Sequence, residues 1–190
     1  MSERVELTPS QTIGPFFHFA LLDEDQSELV APEDHAAIRI EGSIYDGADE
    51  PVPDAMVEVW QANRSGRYRH PEDDREDLSL EDGFSGFGRC GTDADGKFTF
   101  TTLKPGAVPV AEGKLQAPHI NVSIFARGLL KRLVTRIYFP DEEEANAQDP
   151  VLSMIGDSDQ RPTLVAHPAD SALRFDVHLQ GDHQTVFFDV

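Results

Sequence analysis

Hydrophobic and polar positions alternate most clearly between Ala117 and Phe139, APHINVSIFARGLLKRLVTRIYF. His119, Asn121, Ser123 and Phe125 fall on one face of an extended chain, and Ile120, Val122 and Ile124 on the other, as a half-buried strand requires. After the break at Arg127-Gly128, Leu133 to Phe139 is again rich in β-branched and aromatic residues, so two strands joined by a loop are predicted. The same reading predicts strands over Ala37 to Tyr45 (AIRIEGSIY), Met56 to Gln61 (MVEVWQ), Gly88 to Thr92, Lys97 to Thr102, Ala172 to Leu179 and Thr185 to Val190. The turn-forming DGADEPVPDA predicts an antiparallel pair of the 37–45 and 56–61 strands, and Asp93-Ala94-Asp95-Gly96 predicts a hairpin.

Between these elements lie segments without period. Gly14-Pro15 favours a turn, and the phenylalanines that follow at 16, 17 and 19 are expected to be buried as part of an anchored N-terminal arm over about residues 1–20. Residues 23–34 are acidic and suit a surface loop or short helix. Asn63 to Gly83 is charged and about 20 residues long, a length that points to function. Lys104 to Pro118 is a proline and glycine loop, and the DEEE start of residues 141–144 suits a short helix. Short strands, long loops and almost no periodic helix predict a mainly β chain, an antiparallel β-sandwich forming one domain over 1–190. Trp60, the single tryptophan, is expected in its core.

Composition narrows the function. The 39% hydrophobic content of 190 residues can bury one core. No apolar run approaches the roughly 20 residues of a membrane span, and MSERVELTPS lacks a signal-peptide core, so a soluble cytoplasmic protein is expected. A net charge of −19 argues against nucleic acid as a partner. The single cysteine, Cys90, excludes an intrachain disulfide and a thiolate metal cluster, and within an alternating run it suits a small buried side chain. The DADG turn lacks the downstream glutamate and spaced ligands of a calcium loop.

Two candidates for chemistry remain. Two imidazoles at i and i+2 of a strand can reach one metal ion, and His119 has Asn121 where the second would stand. An amide is a much weaker ligand for a transition metal than imidazole or phenolate, so the pair resembles half of a metal site, although a structural histidine satisfies the pattern as well. Tyr68, between Arg67 and Arg69 in the long loop, is either an exposed loop tyrosine or a second donor.

Several motifs then occur in order: SQTIGPF from Ser10, VEVWQAN from Val57, GRYRH from Gly66, FGR and TDADG within Phe87 to Gly96, KPG from Lys104, APHIN from Ala117, TRIYF from Thr135 and TVFFD from Thr185. Together they resemble the intradiol ring-cleaving dioxygenases over nearly the whole chain from Pro9, and within them the non-catalytic α chains of two-subunit enzymes. The resemblance implies a non-haem Fe(3+) held in the catalytic chain by two tyrosines and two histidines, with a catechol-type substrate chelating the metal before O₂ attack. Phenolate oxygen suits the ferric state.

Carried over by position, the first tyrosine ligand is Tyr68 and the first histidine ligand is His119. The second tyrosine falls on Val108, the second histidine on Asn121, and the arginine of catalytic chains on Gln116. Two donors are too few for a ferric site of useful affinity. The resemblance therefore implies no catalytic or metal-binding residue in this chain, a vestigial iron site, and the working iron in a partner β subunit of the same fold.

Substrate contacts carried over from the α chains are Thr12, Gly14 and Pro15 of the arm, with Arg127 of FARG. At about 3.3 Å per residue, eight strand residues place Arg127 roughly 26 Å from His119, beyond reach of this chain's own pocket. Arg127 either attracts the carboxylate of an aromatic substrate or forms an interface ion pair; for Arg136 the ion pair is the expectation. Two other readings stay open: a self-sufficient dioxygenase in which water or another residue replaces the missing ligands, and a non-enzymatic β-sandwich binding module.

Overall fold

The structure, a computed structural model, describes residues 11–189 apart from 15, 23, 25, 111 and 112. The first ten residues of the arm and Pro15 lie outside the described residues, as does Val190. Alternating burial builds two main sheets. One contains β1 (Ala37–Tyr45) and β4 (Lys97–Leu103); the other is formed by β2 (Met56–Gln61), β3 (Phe87–Gly91), β7 (His119–Phe125) and β8 (Leu133–Tyr138) in the order β3-β2-β7-β8, wholly antiparallel. Short β5 (Val108–Pro109) pairs with β6 (Leu115–Gln116). Ile40, Ile44, Phe98 and Phe100 from the first sheet meet Val57, Val59, Ile120, Val122, Ile124 and Ile137 from the second in one buried core. The mainly β sandwich expected from the alternation is what forms.

Sheet partners depart from the expectation in three places. β1 and β2 do not pair. The chain turns at Asp46–Glu50, and Pro51 and Pro53, which cannot donate to a ladder, carry it across to the other sheet. The apolar faces of β1 and β2 then meet through the core instead of lying side by side. The Asp93–Gly96 turn forms, with Asp93 Oδ1 accepting from the amides of Asp95 and Lys97 at 2.9 Å each and Gly96 at φ +69°. Its flanking strands nevertheless belong to different sheets, so the turn is a crossover and not a hairpin.

The predicted strand at 172–179 is two short pieces, β10 (Ala172–Arg174) and β11 (Val177–His178), both parallel to β1; β9 (His167–Ala169) pairs antiparallel with β10. The break between them lets Asp176 accept the Ser43 amide at 2.9 Å and Phe175 donate to Glu41 O at 2.8 Å. Among its described residues the closing segment is not a strand: it meets β8 through a single bridge, Val134–Phe188.

Three further expectations are corrected. Phe16–Leu21 is a short helix, α1, and Phe16 and Phe19 are 78% and 72% exposed rather than buried. Residues 26–29 are not a separate surface loop. Gln26 bridges Arg89, Glu28 bridges Thr101, and Leu29 enters the core. Trp60 is half-buried on the outer face of its sheet, whereas its neighbours Val57 and Val59 face inward. Cys90 is buried, as expected.

The acidic helix becomes two, α2 (Glu143–Gln148) and α3 (Pro150–Met154), packed through Leu152 on Tyr138, Ala117 and Leu164. No helix among the described residues is long and apolar enough to cross a membrane.

Candidate functional site

The outer face of the β3-β2-β7-β8 sheet carries the cluster, and strand register assembles it. Trp60 of β2 pairs with Asn121 of β7, which in turn pairs with Arg136 of β8; one step along, His119 pairs with Tyr138. Residues two apart on each strand share this face, so His119 and Asn121 lie side by side beneath whatever crosses above them.

The crossing segment is the long 63–86 loop, which is irregular but held. Asn63 Oδ1 accepts from the amides of Ser65 (3.0 Å) and Arg67 (2.8 Å), and its amide donates to Ser79 O at 2.6 Å. Arg67 donates to Leu78 O, Arg69 to Phe84 O and Arg75 to Gly66 O, at 2.7, 2.7 and 2.8 Å. At Gly66, with φ +79°, a Cβ would lie 2.1 Å from Ala107 O, so only glycine lets the two loops approach. Asp73 accepts the Tyr68 amide at 2.8 Å, and a 2.6 Å ion pair with Arg75 holds its carboxyl well below the usual range.

That scaffold lays the Tyr68 ring on Trp60, centroids 5.7 Å apart and 20° from parallel. Asn121 Nδ2 then donates to the Tyr68 hydroxyl at 3.4 Å and to Trp60 O at 3.2 Å. Burial pushes the Tyr68 phenol up, with Asn121, Arg136 and Arg75 pulling partly the other way. A cleft of about 750 Å³ opens beside it, bordered by Trp60, Tyr68, Asp73, Arg75 and Val108.

His119 is 1% exposed, with Nδ1 2.7 Å from Ala117 O. Burial, with the nearby Arg136 charge second, depresses its pKa from 6.5 to about 4, so the ring is neutral at pH 7. Gln116 pairs with Val108 across the β5–β6 ladder, and its Oε1 accepts from Arg136 Nη1 at 2.7 Å. Arg136 also donates to the Tyr138 hydroxyl at 3.3 Å, and that phenol, pushed up to about 12 mainly by burial, donates to Asp149 at 3.2 Å. The fold thus gathers Tyr68, Val108, Gln116, His119 and Asn121, positions separated by up to 53 residues.

As a cradle for ferric ion the cluster is short of donors. Val108 offers none, and Asn121 turns its amide nitrogen, a donor without a lone pair for metal, toward the Tyr68 oxygen. The Tyr68 proton is held by burial, and a guanidinium stands opposite Asn121. Among the described residues no group of three or more His, Cys, Asp or Glu could hold a metal. The residues present do not suit the ion.

The second set of predicted residues lies at the other end of β7. Ile13 N donates to Leu129 O at 2.6 Å, which ties Thr12 and Gly14 of the arm to the turn that follows Arg127. β7 runs without a bulge from His119, so this end is remote from Tyr68. Thr12, Gly14 and Arg127 are exposed, and the Arg127 guanidinium pairs with Asp54. Pro15 lies outside the described residues.

The structure gives two residues a place in this cluster that the sequence did not show. Arg136, expected in an interface ion pair, has neutral partners within the cluster and no carboxylate partner among the described residues. Counting outward symmetrically from Gly128 and Leu129 would have placed it opposite Asn121. Asp149, fully buried, accepts from the amides of Ala117, Val151 and Leu152, each at 2.8 Å; its position just before Pro150 was the capping signal.

Comparison with known proteins gives the family. The family model described as Dioxygenase matches residues 13–181. The protocatechuate 3,4-dioxygenase alpha chain of Pseudomonas putida is 42% identical over 200 aligned positions, covering 96% of each chain. The protocatechuate 3,4-dioxygenase beta chain of Burkholderia cepacia is 42% identical over 116, covering 60% of this chain and 48% of its own length. The dioxygenase domain of a dioxygenase and carbohydrate-binding fusion from Streptomyces sp. SirexAA-E superposes with a TM-score of 0.58 at 25% identity, over 93% of this chain and 99% of that one. The chain belongs to the intradiol dioxygenase family. Within that family its full-length likeness is to the alpha chain of protocatechuate 3,4-dioxygenase.

Proposed function

We propose that this chain is the alpha subunit of a protocatechuate 3,4-dioxygenase, carries a vestigial iron site, and completes the active site of a beta subunit that holds the non-haem ferric ion. The assembled enzyme cleaves protocatechuate between its two hydroxyl-bearing carbons, and both atoms of O₂ enter the product, 3-carboxy-cis,cis-muconate, in cytoplasmic aromatic catabolism. One carbon–carbon bond breaks and two carboxyl groups form.

The observation that carries the reading is the separation of the two candidate sets. The positions equivalent to metal ligands form a cluster with too few donors, while the arm and Arg127, tied together through Ile13 and Leu129, are displayed at the opposite end of β7. Exposed groups there serve a neighbour. The Gly14 backbone and the Thr12 hydroxyl can meet an aromatic substrate, and the Arg127 guanidinium can draw the carboxylate of protocatechuate toward a protein of net charge −19. The exposed Phe16 and Phe19 beside the arm are suited to burial against the partner.

Metal analysis and oxygen uptake test this. The purified chain alone is expected to hold far less than one iron per chain and to consume no O₂ with protocatechuate, and activity is expected on reconstitution with the beta subunit. Ring cleavage by the chain alone would favour the self-sufficient enzyme. A stable chain that never copurifies with a dioxygenase beta subunit would favour the non-enzymatic binding module.

A further inference from the structure

In a chain with 35 acidic and 16 basic residues, a half-buried guanidinium without a carboxylate partner is out of place. Arg136 is one among the described residues. It stands directly opposite Asn121, its Nη1 is fixed by Gln116 Oε1 at 2.7 Å and by the Tyr138 hydroxyl at 3.3 Å, and its carbon lies 5.9 Å from the Phe188 ring centroid. Both groups that remain from the implied ligand set, Tyr68 and His119, feel its charge. Its hydrogen bonds lead to one carboxylate, Asp149, through the Tyr138 phenol.

We propose that Arg136 is the resident cation of this cluster: it supplies the positive charge around which Gln116 and Tyr138 are oriented, and it bars a metal ion from the same space. The inference rests on the reading of the cluster as a former metal site and adds to it a specific cause. A ferric cradle needs anionic donors facing an empty centre, whereas here a permanent positive charge, one that cannot be titrated away in a protein, already occupies the row between β7 and β8. Loss of donors alone would leave a weak site that restored donors repair. With the guanidinium in place, repair fails. A neighbouring like charge shifts such equilibria by roughly one to three powers of ten.

Three forms of the full-length chain decide it. The first carries Val108→Tyr and Asn121→His, the second adds Arg136→Gln, and the third adds Arg136→Lys instead. Each is titrated with ferric ion, and bound iron is measured directly and by the visible tyrosinate-to-iron band. The glutamine form is expected to take up iron roughly tenfold or more tightly than the first, with the lysine form behaving like the first. Equal loading of the first two forms, whether high or low, overturns the proposal, as does a lysine form that loads like the glutamine form. If the donor-restored chains do not fold, Arg136→Gln and Arg136→Lys are compared with the unmodified chain by zinc titration, with His119→Gln subtracting binding elsewhere. Equal zinc affinity across those forms also overturns the proposal. Stoichiometric iron in the unmodified chain would instead refute the underlying reading, so the two failures are distinguishable.

Discussion

Asp149 and Ala117, 32 residues apart, are joined by a buried 2.8 Å hydrogen bond from the Ala117 amide to Asp149 Oδ2. The other carboxylate oxygen caps α3 through the Val151 and Leu152 amides and accepts the Tyr138 hydroxyl. One side chain thus locks the segment entering β7, the end of β8 and the following helix together. Loss of a helix cap costs about 0.5–2 kcal/mol, and each buried donor left without a partner roughly 1–3 kcal/mol. Asp149→Ala is therefore expected to lower unfolding free energy by roughly 3–5 kcal/mol, read from the urea midpoint, with Asp149→Asn intermediate because its amide presents a donor to one of these donors.

His119 sets a pH dependence. Its folded pKa, about 4, lies below the ordinary 6.5, so on acidification the unfolded chain takes up the proton first. Stability is lost as pH falls through 6.5 toward 4 and levels below that, with a total on the order of 3 kcal/mol at about 1.4 kcal/mol per pH unit. His119→Gln is expected to flatten denaturation midpoints over that window. An unchanged slope would show that another group controls it.

Arg127 is paired with Asp54 at the surface, and an exposed pair of this kind contributes only ~0.2–1 kcal/mol. Arg127→Ala should therefore leave the denaturation midpoint nearly unmoved yet raise KM for protocatechuate in the reconstituted complex. Asp54→Ala separates the two roles that the sequence left open. It frees the guanidinium, so KM should stay the same or fall if Arg127 steers substrate, and an unchanged KM in the Arg127 variant would remove that role.

Gly42 marks where β1 and the chain between β10 and β11 touch most closely. A Cβ there would lie 1.8 Å from Phe175 O and 2.8 Å from the Phe98 ring, and the first of these contacts is backbone. Overpacking that side chains can relieve costs about 1–3 kcal/mol, and here relief requires parting two strands. Gly42→Ala is expected to cost roughly 3 kcal/mol or more and to lower the yield of folded chain, measured by chemical denaturation and by soluble expression.

Much of the strand content was legible because alternation records which face of a strand is buried. Residues 37–45, 56–61 and 119–125 form strands over the spans the pattern predicts. Alternation says nothing of lateral neighbours, since backbone hydrogen bonds are the same for every residue; hence β1 and β2, consecutive and similar, were wrongly paired. Trp60 was misplaced for a related reason. Hydrophobicity suggests burial, but period 2 puts residue 60 on the face opposite Val57 and Val59, where it stacks on Tyr68. The run 185–190 has strand composition, yet among its described residues it makes one bridge, Val134–Phe188.

What the chain's chemistry determined by itself is the identity of its side chains: a valine at 108 has no donor atom and an asparagine at 121 no imidazole, in any fold. What only the tertiary structure decided is company. Strand register brought Arg136 opposite Asn121, a 63–86 loop held by its own arginines laid Tyr68 over Trp60, and one backbone bond from Ile13 to Leu129 set the arm beside Arg127. These contacts join residues 8 to 116 positions apart, and no local pattern specifies them, because each depends on packing that exists only once both sheets have closed on a common core.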